Sequence, residues 1–271
     1  MQDLILIIDF MNYLHRCRVG DLQGEFVLYF NFFRNLRATI EEFAPSKLFF
    51  ALEGYPKHRY ELFPDYKANR RKIIKTASLQ TTKEQVIDAA NDIQKLLLLL
   101  PITLAQHPDF EADDIIHCLC RNMKDESVVV CSSDADCIQI LQQGYRDCQL
   151  YNPIKKEFRE APTYLYTAFK TLTGDKSDGI PRIVSDKKAL AFCNDPDLFR
   201  EFMSVEENRA KVAINKSLIQ FSDVPEEEII FQEGWRNYTA LKEEFIRMDF
   251  QSIVNDNSWE RYTKTFNCIK Y

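Results

Sequence analysis

The chain has 271 residues, 45% of them apolar and 13% aromatic, enough to bury the core of one large domain or two small ones. Its seven glycines form neither G-x-G-x-x-G nor G-x-x-x-x-G-K-[ST], which argues against a Rossmann dehydrogenase and a P-loop NTPase. The net charge of −6 argues by itself against a nucleic-acid partner, yet residues 57–75 carry seven Lys/Arg against two acids. The acids must therefore be concentrated elsewhere.

LILIID (4–9) reads as a first buried strand, and its apolar run ends at Asp9, too early for a secretory signal or a membrane span. Phe26, Tyr29, Phe30, Phe33, Leu36, Ile40 and Phe43 recur at spacings of three and four, which predicts an amphipathic helix over 24–43. KLFFAL (47–52) is a second strand. The basic stretch from about 62 to 82 has no strong periodicity and is expected to be mobile without a ligand. A helix is expected from about Thr82 to Leu100, stopping at Pro101, and another from Glu111. SVVVCSS (127–133) reads as a fully buried strand, followed by a helix from about Ala135 to Gln143. From about Pro162 the strand signal fades and short helical segments dominate.

This alternation predicts an α/β fold with a mostly parallel central sheet flanked by helices over 1–161 and a helical region over 162–271. The eight cysteines include no C-x-x-C pair, and several lie in apolar runs, as expected for reduced thiols in a cytoplasmic protein. His117-Cys118-Leu119-Cys120 points in several directions on a helix and reads as core.

Three strands end in an acid: Asp9, Glu53 and Asp134, with Asp136 two residues beyond the last. In a parallel sheet the carboxyl ends of the strands meet at one edge, where α/β proteins bind ligands. Glu111, Asp113 and Asp114 open a helix, and Asp175 and Asp178 stand three residues apart in GDKSD. Singly, such acids serve as helix caps or offset a helix dipole. Together they would repel one another unless cations compensate. Oxygen-only ligands favour Mg²⁺ or Mn²⁺, and no histidine stands in a H-E-x-x-H spacing. Two such ions roughly 4 Å apart would activate a water and stabilise both oxygens of a phosphodiester displacement.

In this order the motifs resemble the structure-specific 5′ nucleases, the flap endonuclease and 5′-3′ exonuclease family that includes the 5′-nuclease domain of bacterial DNA polymerase I. IIDFMNYLHR resembles the first strand motif, and YKANR (66–70) the Y-K-x-x-R at the foot of a helical arch, here about 62–85. FEADD, SSDADCIQIL and LTGDKSDGIP resemble the three later acidic motifs. LIQFSDVPEEEI is weakly similar to the tail of bacteriophage ribonuclease H and 5′-exonuclease enzymes.

The resemblance implies metal binding by Asp9, Glu53, Glu111, Asp113, Asp114, Asp134 and Asp136, with Asp175 and Asp178 contributing to a second ion. It implies contacts from Lys67 and Arg70 to the scissile phosphate. Arg71 and Lys72 extend the phosphate track, and Tyr66 either stacks on a base near the terminus or packs the base of the arch. Glu53 departs from the family's usual Asp. A helix-turn-helix is expected at about 175–194, where PRIVSDKKALAF replaces the family's glycine-rich turn and leaves Lys187 and Lys188 as duplex contacts.

The expected activity is a two-metal 5′-3′ exonuclease or flap endonuclease on branched, nicked or RNA-primed duplex, acting in primer removal as a monomer. Single-strand-binding protein or polymerase are its expected replication partners. A PIN-like ribonuclease, which lacks the long basic arch, and a DNA-structure-binding protein with a silent site are the alternatives.

Overall fold

The computed structural model describes residues 3–18, 25–68 and 77–270, the side chains of 77–83 excepted. A seven-stranded sheet runs in the order β6-β5-β4-β1-β2-β3-β7. Its strands are β1 (Leu4–Asp9), β2 (Lys47–Ala51), β3 (Thr103–Gln106), β4 (Ser127–Cys131), β5 (Asp147–Asn152), β6 (Glu157–Arg159) and β7 (Ile230–Glu233). The five central strands are parallel, and only the edge strands β6 and β7 run antiparallel to their neighbours.

β1 is apolar up to its last residue, Asp9, because both faces of the sheet are covered. Leu6 and Ile8 pack with Leu48 and Phe50 under α2 (Val27–Phe43) and α4 (Ala77–Leu97). Ile5 and Ile7 point the other way, toward Val128, Val130 and α5 (Ala112–Asn122). Burying one such side chain contributes roughly 1.5–3 kcal/mol, so register is strongly fixed: a one-residue slip would exchange the two faces.

The expected aromatic stripe is core, with Tyr29, Phe33, Leu36 and Ile40 buried. So are Cys118, Leu119 and Cys120, and all eight cysteines are free thiols. Among the described residues no helix is long and apolar enough to cross a membrane.

Three expectations are corrected. The segment after Asp134 is a 3₁₀ helix over Asp136–Gln142, not an α-helix. Asp134 Oδ1 accepts the amide of Asp136 at 2.8 Å and Ile138 N bonds Ala135 O at 3.1 Å, so the chain closes tightly from its start.

The region after 162 is not helical throughout: β7, the tetrapeptide IFQE, returns to pair with β3, and its two apolar residues are too few to stand out from the acidic flank. The carboxy-terminal helices α10 (Tyr238–Arg247) and α12 (Asp256–Thr265) also place Leu241, Phe245 and Tyr262 in the same core as β1.

The helix pair expected at about 175–194 begins earlier. It comprises α6 (Tyr166–Thr173) and α7 (Asp186–Asn194) around a turn at Gly174. There φ is +68°, and an added Cβ would lie 2.5 Å from Ile180 O.

Candidate active site

The carboxyl ends of β1, β2 and β4 open into a cleft of about 640 Å³. Asp9 closes β1 and also caps α1 (Phe10–Arg16), its side chain accepting the amide of Asn12 at 3.0 Å. The cap reading and the site reading thus fall on the same residue. Glu53 lies two residues beyond β2, and its Oε2 accepts the amide of Ala112 at 3.0 Å. Gly54 makes this placement possible: its amide bonds Phe110 O at 2.9 Å, and a Cβ would lie 2.1 Å from His107 O. Asp113 projects from the first turn of α5, and Asp134 and Asp136 follow β4. All five acids line the cleft, joined by Glu111, Asp178, Arg59 and Lys67.

The environment divides these carboxylates. Asp9 is pushed up to about 7, chiefly by burial and then by the negative charges of Glu53 and Asp134. Burial and the same neighbours push Asp113 upward as well. Asp136 rises to about 6 through burial, although Lys170 opposes the shift. Among the described residues no cation is ion-paired with Asp9, Asp113 or Asp134, whose recorded partners are amides, Ser132 and Cys137.

Glu111 differs. Its carboxylate accepts hydrogen bonds from Arg59, from Tyr66 Oη at 2.9 Å and from Lys67. Burial disfavours its charge, but Lys67 and Arg59 prevail and hold the carboxyl below its ordinary range. Asp175 behaves similarly. Burial opposes its ionisation, yet Lys170 at 2.5 Å and Ser177 hold it down at about 2.

Lys170 also reaches Asp136 at 3.2 Å, which Tyr166 Oη contacts at 3.3 Å. Asp178 faces the cleft and lies 3.9 Å from the Lys67 ammonium.

Several expected site residues are placed otherwise. Asp114 does not line the cleft: it is fully buried and takes a two-pronged grip from Arg59 at 2.8 and 2.7 Å. In this structure the enclosed carboxylate is the partner of Arg59. Tyr66 is 3% exposed and packs against Ile180, Leu218 and Ile219 at the edge of the cleft. Lys187 and Lys188 are exposed on the first turn of α7 and do not line the cleft. Arg70, Arg71 and Lys72 lie outside the described residues.

Arg59, Lys170 and Tyr166 were not expected. Each sits in a helical stretch with no motif of its own, and the only sequence signal is indirect: a buried acid needs a buried cation.

The donor chemistry suits a hard divalent cation, since Asp9, Glu53, Asp113 and Asp134 offer only oxygen, and the charges of Glu53 and Asp134 add to the proton affinity of Asp9 and Asp113. At their present spacing, no three such side chains among the described residues converge on one point. The acids ring the cleft.

Fold and cleft together define an α/β protein with acids gathered where parallel strands end. Residues 4–170 match the family described as 5′-3′ exonuclease, N-terminal resolvase-like domain, and the chain belongs to that family.

It is 28% identical to DNA polymerase I of Treponema pallidum over 167 residues, covering 57% of this chain and 16% of that protein. It is 25% identical to a 5′-3′ exonuclease of Mycobacterium tuberculosis over 211 residues, covering 69% of this chain and 66% of that one. The chain thus spans less than two thirds of either relative.

In fold it is similar to a bacteriophage T5 flap endonuclease variant in a pseudo-enzyme-product complex with DNA and metal ions. The TM-score is 0.68 at 15% identity, with 97% of each chain covered. A bacteriophage T5 5′-exonuclease with bound divalent zinc gives 0.63 at 15% identity, covering 97% of this chain and 98% of that one.

Proposed function

We propose that the protein is a divalent-metal-dependent 5′-3′ exonuclease and flap endonuclease that cuts near the 5′ ends of branched, nicked or RNA-primed duplexes. The observation that carries this reading is the ring of Asp9, Glu53, Asp113, Asp134 and Asp136 in one cleft beside Lys67. Family membership and the metal- and DNA-bound similar structures support it.

In this reading Asp9, Glu53, Asp113 and Asp134 hold one Mg²⁺ or Mn²⁺, and Asp136, Asp175 and Asp178 serve a second. Bound ions would neutralise the acids, activate the attacking water and polarise the phosphodiester. Glu53 reaches farther than an Asp and fits a contact through a water. The Lys67 ammonium orients the phosphate and offsets charge that develops during displacement.

Arg70 acts beside Lys67, with Arg71 and Lys72 tracking the backbone and Lys187 and Lys188 holding the duplex farther away. We place the nuclease core in 1–161 with its arch at about 62–85, and duplex anchoring in 162–271. The setting is cytoplasmic primer removal by a monomer, alongside single-strand-binding protein or a polymerase.

End-labelled 5′-flap, nicked, blunt and RNA-primed duplexes incubated with Mg²⁺ or EDTA test this reading. Short products from the 5′ end are expected with Mg²⁺ and none with EDTA. Cleavage confined to single-stranded RNA, or binding without any cleavage, would overturn it. In Ca²⁺ the DNA should bind without efficient hydrolysis.

A further inference from the structure

We propose that Arg59 is a positioning residue that sets Glu111, and through it Tyr66 and Lys67, against the cleft; this rests on the nuclease reading above. Arg59 lies on the short helix α3 (Lys57–Leu62) and is 3% exposed. Its Nη1 donates to Glu111 Oε2 and, at 2.8 Å, to Asp114 Oδ2, while Nη2 donates to Asp114 Oδ1 at 2.7 Å.

Asp114 Oδ2 in turn accepts the amide of Glu111 at 3.2 Å. Glu111 is therefore fixed twice, through its side chain by Arg59 and through its backbone by the acid that Arg59 holds. What Glu111 then carries is the foot of the basic segment, by the hydrogen bonds from Tyr66 Oη and Lys67 Nζ.

Stability alone does not require this arrangement. The two-pronged grip on Asp114 would already neutralise the guanidinium, and Asp114 has a further partner in the amide of Ser222 at 2.7 Å. The additional contact to Glu111 comes with a buried Arg59 Nε that has no hydrogen-bond partner. An orphaned buried donor is costly, and here it accompanies a fork aimed at two of the three acids that open α5.

The supported residue is itself held in an unusual state. Lys67 has φ of +53°, and its amide donates to Asp178 O at 2.8 Å. A non-glycine residue stays in that region only where its surroundings determine it repeatedly. The chain from Arg59 to Lys67 thus runs through groups with little room to adjust.

Arg59→Met alone leaves the buried Asp114 carboxylate without its cation and is expected to lose thermal stability. Arg59→Met combined with Asp114→Asn removes that liability and separates folding from positioning. We expect the folded double variant to keep its DNA Kd in Ca²⁺ within about threefold while its single-turnover cleavage in Mg²⁺ falls about 100-fold, the usual effect of a small misplacement of a reacting group.

Hydrogen exchange gives a readout independent of catalysis. In metal-free protein the Lys67 amide, followed in a peptide covering 63–68, should exchange about tenfold faster in the double variant, as expected when local opening becomes easier. Arg59→Lys keeps the charge and loses the fork, so it should also cut slowly and exchange fast, whether or not the double variant folds.

Wild-type exchange and wild-type cleavage in either folded variant would overturn the proposal. If the unaltered protein cuts no duplex while the variants still loosen the Lys67 amide, the nuclease reading falls and the positioning role stands.

Discussion

Two groups of carboxylates lie within one cleft and its wall, and their partners set them apart. Asp9, Asp113 and Asp134 face each other with no ion-paired cation among the described residues, and burial pushes Asp9 and Asp113 upward. Glu111, Asp114 and Asp175 are matched by Arg59, Lys67 and Lys170, and Glu111 and Asp175 are held down. The same chemical group therefore serves two purposes. Glu111 and Asp114 fasten α5 to α3, and Asp175 fastens the Gly174 turn to α6. The unmatched acids keep an electrostatic debt that a bound cation would settle.

The largest effect that sharpens this comparison is expected at Asp134. Asp134→Asn should lower cleavage by at least about 1000-fold if its charge helps hold the ions that polarise the phosphodiester. DNA binding in Ca²⁺ should remain or tighten, because one negative charge near the phosphates is gone. Single-turnover rates and a Ca²⁺ binding curve check both parts. Loss of binding with unchanged turnover would place Asp134 among the matched acids.

Glu53 gives the next largest effect. Glu53→Gln should slow cleavage about 100-fold, whereas Glu53→Asp should keep activity within about tenfold, because charge outweighs one methylene near a cation. Equal, near-normal rates would put Glu53 outside the metal-binding set.

The parallel core and the gathering of strand-end acids were legible in the sequence because they follow from local patterns. LILIID, KLFFA and SVVVC each hold a continuous apolar run, and an acid stands within three residues of the end of each run, at Asp9, Glu53 and Asp134. The division among the acids was not legible. Glu111, Asp113 and Asp114 are near neighbours in sequence, yet α5 turns Asp113 into the cleft, Asp114 into the interior, and Glu111 between them.

Which acid meets a cation depended on Arg59, more than 50 residues away and on a separate helix. β7 was hidden for the same reason, since its pairing with β3 spans over 120 residues and its own residues are exposed.

A smaller effect concerns the basic segment. If Arg70 and Arg71 each neutralise a phosphate, replacing both by Ala should flatten the slope of log affinity against log salt by about 2 in Ca²⁺. Arg70→Ala alone should also slow single-turnover cleavage at saturating DNA, because its charge would act in the transition state as well as in binding. An unchanged slope with normal rates would make the segment a solvated surface.

The smallest effect tests the comparison most directly, through stability in EDTA. Asp9 has a folded value near 7 against an ordinary 3.8, so the folded protein binds its proton more tightly than the unfolded chain does. Its contribution is fully present below about 4 and is lost as pH rises through about 7, by on the order of 1–3 kcal/mol.

Asp175 has the opposite sign. With a folded value near 2, its stabilisation is present above 3.8 and disappears only as pH falls through about 2. Between pH 4.5 and 8 it is constant. Thermal melts across that range should therefore show Asp9→Asn flattening the decline of stability toward alkaline pH and melting above the unaltered protein at pH 8. Asp175→Asn should melt lower throughout, with the slope retained, because it leaves Lys170 short of one partner while Asp136 remains. Parallel behaviour of the two variants would show that both acids are counterbalanced alike, and the distinction between matched and unmatched carboxylates would fail.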